Sequence, residues 1–139
     1  MTETARSLKA DGWTIVHDEG FIDLVGPLWH RVVDGQHEFA IATGPKHRNR
    51  RGLVQGGLMM TLADRASGMA AREQSGASHV ATVQLDTHFV DAGEIGDLLV
   101  ARPRVIRSTR SLIFTSTEVS VDGRCVIVAT GVFKIVRPR

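Results

Sequence analysis

Apolar positions along this chain change their spacing twice, and the changes mark out its elements. Leu28 to Val33 and Phe39 to Ala42 are short apolar-rich runs on either side of Asp34-Gly35. That dipeptide is a strong two-residue turn signal, so the pattern predicts a first hairpin. From Gly44 to Gly52 the pattern lapses. Pro45 and two glycines punctuate a segment in which five of nine residues are Lys, His or Arg, and it reads as a loop.

From Leu53 to about Glu73 the spacing becomes helical, with Leu58, Leu62, Ala66 and Met69 recurring at steps of four, four and three on one face. This is the one long helix the pattern predicts, and Gly76 ends it. Four strand-like stretches follow at 79–91, 96–107, 111–121 and 125–136, separated by Ala92-Gly93, Ser108-Thr109 and Asp122-Gly123. In the first of them, alternation assigns Ala81, Val83, Leu85 and Phe89 to one face and Thr82, Gln84, Asp86 and His88 to the other. Pro103 has no N–H to give a ladder, which predicts that the second stretch lies at an edge or bulges there.

Two strands, one helix and four strands describe an α+β domain: an antiparallel sheet of five to six strands wrapped around one long central helix. At 139 residues the chain is expected to form one domain, with 1–20 as an N-terminal extension. Apolar residues at 42% and charged residues at 23% exclude a disordered or membrane-embedded class. A formal charge of +2 gives no general affinity for nucleic acid, although a pI near 9.2 leaves room for a local basic patch. The first ten residues lack the apolar segment of a secretory signal, and a cytoplasmic protein without membrane contact is expected. The one cysteine, Cys125, sits in an alternating apolar stretch and is expected to be a packed thiol. Six histidines show no paired ligand spacing, so neither a metal nor another cofactor is expected.

The chemistry concentrates between Asn49 and Asp64. Gly56 and Gly57, adjacent at the start of a helix, expose unpaired N–H groups of the kind that stabilise negative charge developing in acyl transfer. Asp64 lies on the same helix where the apolar face gives way to Thr61, Arg65, Gly68 and Arg72, with Ser67, Gly68 and Ala71 leaving room beside it. A carboxylate there can activate water or attack directly.

From His47 to about Ala71 the chain resembles the acyl-CoA thioesterases of the hotdog superfamily, in particular the PaaI-like phenylacetate-pathway branch of the 4-hydroxybenzoyl-CoA thioesterases. The family pattern H-x-N-x-x-G-x-x-H-G-G, followed by a helix bearing L-x-D, stands here as His47, Asn49, Gly52, Gln55, Gly56, Gly57, Leu62 and Asp64. Thr82 to Phe89 is similar to the family's T-x-x-L-x-x-x-F strand, and the likeness continues through Arg107-Ser-Thr-Arg110 and Asp122-Gly123, covering roughly residues 20–136. The resemblance implies a hotdog fold and hydrolysis of an aromatic or medium- to long-chain acyl-CoA. It further implies that Asn49 orients the thioester or the water, that Gly56 is the main oxyanion donor, and that Thr82 places the carboxylate or the water. One position departs from the pattern: Gln55 replaces the histidine before the glycine pair. It keeps an amide donor but cannot titrate, which leaves Asp64 as the one titratable catalytic candidate in the motif.

Gly56 and Asp64 are eight residues apart, so on one helix their backbones are separated by about 12 Å. That distance, and the resemblance, predict a two-fold homodimer in which Asn49, Gln55 and Gly56 of one subunit face Asp64 and Thr82 of the other, with further assembly to a homotetramer. Arg48 and Arg50 in the basic loop, and Arg107 with Arg110 at a turn, are candidates for the phosphates of CoA, because the guanidinium fork binds phosphate bidentately. An acyl-CoA-binding or regulatory hotdog protein without turnover is the alternative that Gln55 makes credible. A hotdog enoyl-CoA hydratase would need an Asp and a His five apart early in the long helix, and the chain has no such pair.

Overall fold

The computed structural model describes residues 2–137. The helices are α1 (Glu3–Ala10), α2 (Phe21–Val25) and α3 (Gly56–Ser75), with a 3-10 turn at Pro45–His47. The strands are β1 (Thr14–Val16), β2 (Leu28–Val33), β3 (Gln36–Ala42), β4 (His79–Phe89), β5 (Leu98–Ser108), β6 (Leu112–Val121) and β7 (Arg124–Val136). Among the described residues the strands form one antiparallel sheet in the order β1-β2-β3-β5-β6-β7-β4. The sheet clasps α3, which is the hotdog arrangement. There are seven strands rather than five or six. The addition is β1, whose three residues pair with β2 and are too few for alternation to register.

Two of the hairpin turns are Asp-Gly pairs with both residues at positive φ: Asp34 and Gly35 at 51° and 79°, Asp122 and Gly123 at 49° and 80°. These match the two-residue turn whose twist suits flanking strands. The long helix buries Leu58, Met59, Leu62, Ala63 and Ala66 against Phe39, Ile41, Leu99, Val119 and Ile127 on the inner face of the sheet. The outer face is also covered in part. Trp29, Ala40 and Val100 pack beneath Leu8 of α1 and Trp13. Burial on both faces explains why β3 reads as a continuous apolar run at Phe39–Ala42 rather than an alternating one.

Below α1 on that outer face lies a buried charge network. Glu38, 3% exposed, receives Arg31 Nε at 2.8 Å and Arg102 Nε at 2.5 Å. The Arg31 guanidinium also lies 4.3 Å from the centre of the Trp13 ring and donates to the Asp11 carbonyl, tying the segment after α1 to the sheet.

Two strand details differ from the sequence pattern. β5 is not an edge strand, since β3 and β6 flank it, but its pairing with β3 stops at Ala101. Pro103 sits just beyond, where its carbonyl takes the side-chain amide of Gln36 from β3 in place of a ladder bond, and the irregularity in the strand comes later, between Val105 and Arg107. In β4 the alternation breaks, because Thr82 pairs with Phe133 and Gln84 with the adjacent Val132. Val83 is therefore an extra residue, a β-bulge, and it turns Thr82 inward while keeping Leu85 inward as well. Cys125 is half-buried rather than sealed in the core, and its burial, reinforced by Glu118, raises the thiol pKa.

Candidate active site

The N-terminus of α3 is left open by its own cap. Gln55 is the N-cap residue, with extended backbone (φ −60°, ψ 128°) and no capping bond from its exposed side chain. Among the described residues no acceptor meets the N–H of Gly56 or Gly57, so both donors stand at the positive end of the helix dipole. A Cβ at Gly56 would lie 3.0 Å from Cε1 of Phe89, so any side chain there would have to displace the ring.

The loop before the helix is held by two residues of the motif. Asn49 Oδ1 accepts from the backbone N–H of Arg51 at 2.8 Å and of Leu53 at 3.1 Å, while its Nδ2 has no partner among the described residues. One end of the amide thus shapes the loop, and the other remains a donor. The ring of His47, 4% exposed, accepts the Gly44 N–H at Nδ1 and reaches the Val25 carbonyl through Nε2. Its own carbonyl receives the Gln55 N–H at 2.8 Å. His47 is therefore an anchor for the loop and has no ring nitrogen to offer a ligand.

Two turns along α3 the second half begins. Asp64 is half-buried, and Thr82 Oγ1 donates to its Oδ1 at 2.7 Å. The bulge at Val83 makes this contact possible, because strict alternation would put Thr82 and Leu85 on opposite faces. A cavity of about 240 Å³ opens beside the pair, lined further by Gly68, Val80, Phe133, Arg65, Arg72 and His79. Arg65 is held by Asp18 at 2.7 Å, and Gly68 gives the cavity depth because a Cβ there would meet the Phe133 ring at 3.4 Å.

The structure therefore brings the predicted residues together in two groups. Asn49, Gln55 and Gly56 gather at the start of α3, and Asp64 with Thr82 about 12 Å further along. Arg48, Arg50, Arg107 and Arg110 are all exposed and form no single cluster. The basic loop lies near the Leu98 end of β5, where Asp97 receives the Thr43 N–H, whereas Arg107 and Arg110 lie at the other end, about 30 Å away at ~3.3 Å per residue. Phe89 against Gly56, and Val80 with Phe133 at the cavity, were not singled out as site residues by the sequence. The F that closes the strand pattern was the available signal for Phe89.

One antiparallel sheet gripping one long helix, with an open helix N-terminus and a carboxylate two turns on, places the molecule among the hotdog thioester hydrolases. The chain belongs to the thioesterase superfamily, whose family model matches residues 51–127. A Pseudomonas aeruginosa protein named as an inferred esterase is 33% identical over 117 residues, covering 82% of this chain and 87% of that one. A Bacillus halodurans protein crystallised with CoA is 28% identical, with a TM-score of 0.73 over 79% of this chain and 74% of its own. The fold is shared with a Thermus thermophilus phenylacetic acid degradation protein PaaI, at 20% identity and a TM-score of 0.74 over 84% of this chain and 98% of the other. Among the described residues no helix is long and apolar enough to cross a membrane.

Proposed function

We propose that this protein hydrolyses acyl-CoA thioesters to free acid and CoA at a site shared by two copies of the chain. The observation that carries the reading is the hydrogen bond from Thr82 to Asp64 at a cavity, with free helix N–H groups on the same helix. Thr82 fixes Oδ1 and leaves Oδ2 for chemistry. From Oδ2, Asp64 takes a proton from water whose oxygen attacks the thioester carbon, or attacks that carbon itself to give a mixed anhydride that water then cleaves. In both routes the C–S bond breaks and the thiolate leaves as CoA. The Gly56 N–H, with the helix dipole behind it, meets the oxyanion, and the free amide donors of Asn49 and Gln55 hold the carbonyl.

Two subunits serve one thioester because a single helix spaces donors and acid about 12 Å apart. β4 supports this arrangement: it ends the sheet, its eleven residues are mostly exposed, and Val83 and Phe89 are 58% and 53% exposed. An open strand edge of that length is a template for pairing with a second copy. Each subunit is a single domain, two such dimers make a cytoplasmic homotetramer, and the shared site takes an aromatic or medium- to long-chain acyl group. CoA phosphates are met by Arg48 and Arg50 of one subunit or by Arg107 and Arg110 of the other.

Free-thiol release across a panel of acyl-CoAs tests the activity; tight binding with no release would instead make the protein the non-catalytic binder that Gln55 suggests. Thr82→Val is expected to lower kcat about tenfold, the worth of one hydrogen bond to a charged group at about 1.5 kcal/mol. An unchanged kcat would remove Thr82 from the positioning of Asp64. Sedimentation at assay concentration is expected to show a dimer or larger species, and full activity in a monomer would rule out the shared site.

A further inference from the structure

The cavity beside Asp64 carries an unpaired cation at its rim. Two arginines line it. Arg65 is neutralised by Asp18 at 2.7 Å, whereas the guanidinium of Arg72, exposed at the cavity rim, has no ion-pair or hydrogen-bond partner among the described residues. Asp64 is the one carboxylate in the lining, and it is engaged with Thr82 instead. Arg72 stands eight residues beyond Asp64, about 12 Å along the helix, with Gly68 between them leaving the floor open down to Phe133. Gly68, His79 and Arg72 line the cavity on from Asp64.

We infer that the acyl group this site takes carries an anionic far end, a carboxylate in the first instance, and that Arg72 reads it. The inference rests on the thioesterase reading above and names its substrate class. A planar guanidinium matches a carboxylate with two parallel N–H donors, which an alkyl or unsubstituted aryl end cannot use. An ω-carboxy acyl chain or a carboxylated ring is the class of acyl group that meets Asp64 at one end of this lining and Arg72 at the other. Chemistry at the thioester is unchanged: water adds, the C–S bond breaks, and the products are a dicarboxylic acid and CoA.

The test compares kcat/KM for glutaryl-CoA and adipyl-CoA with pentanoyl-CoA and hexanoyl-CoA, in the wild type, Arg72→Leu and Arg72→Lys. The wild type is expected to favour the ω-carboxy series about tenfold or more, the worth of a charge-assisted contact. Arg72→Leu is expected to bring the ratio close to one, mainly through KM, and Arg72→Lys to retain part of it, since lysine keeps the charge and loses the fork. A wild-type preference for the neutral series overturns the inference. So does an Arg72→Leu variant that loses equally on both series, because Arg72 would then be touching CoA. If none of these four and no aromatic or longer acyl-CoA is hydrolysed, the thioesterase reading itself fails and the inference falls with it. If Asp64→Asn leaves hydrolysis intact, the thioesterase reading stands and the inference, which sets the carbonyl carbon against Asp64, falls alone.

Discussion

Asp64→Asn is expected to lower kcat on any acyl-CoA the protein turns over by about 10²- to 10⁴-fold, with KM and thermal midpoint little changed. Asparagine keeps the size of the side chain and an oxygen that can accept from Thr82 Oγ1, so the local geometry survives. What it loses is the second carboxylate oxygen, which accepts the proton in one route and forms the anhydride in the other. Gln55 makes the expected loss severe. With an amide where the family pattern has histidine, no other titratable motif side chain is free to substitute, since the His47 ring is spent on Gly44 and Val25. Near wild-type turnover by a folded Asp64→Asn dimer, measured by thiol release, would exclude the carboxylate from the reaction.

A second large effect is expected far from the site. The double variant Arg31→Ala/Arg102→Ala should destabilise the fold by about 3 kcal/mol, the lower end of the range for removing the partners of a buried charge. Glu38 is 3% exposed and would be left with no cation, while the two arginine side chains, 28% and 43% exposed, already reach water. Loss of the Arg31 stack on Trp13 adds to the cost and loosens the anchor of α1. Adding Glu38→Leu to the double variant should recover most of the stability, because a buried ion network and a packed apolar side chain are often close in energy. Urea denaturation of the three proteins measures this, and a double variant as stable as wild type would show that the network carries no weight.

How much of this could be read in the sequence depended on whether the signal was local. Asp34-Gly35 and Asp122-Gly123 gave turns because both residues of each pair accept positive φ, and the step of Leu58, Leu62 and Ala66 gave α3 because it faces a single sheet. Gly56, Gln55 and Asp64 were legible for the same reason, being fixed by their place on one helix. β1 was not legible, since three residues carry no period, and its existence depends on β2 offering an edge. Nor was the partnership of Arg31, Arg102 and Glu38, which joins residues 64 positions apart in sequence and needs the strand order to be known. The distribution of Arg48, Arg50, Arg107 and Arg110 over the two ends of β5 is of the same kind: composition counts charges, and only the sheet says which of them are neighbours.

The bulge at Val83 has a consequence for how this protein tolerates change. β4 is read by β7 in steps of two, and the extra residue works as a shift of frame inserted between two messages, one addressed to the helix carboxylate and one to the core. Val83 itself faces neither and is 58% exposed, so its identity is nearly free. Removing Val83 would leave a regular ladder with Thr82 and Leu85 two residues apart and still on one face, whereas drawing Val83 into the ladder as a paired residue would turn Thr82 outward, so the site depends on how this residue is spaced and not on what it is.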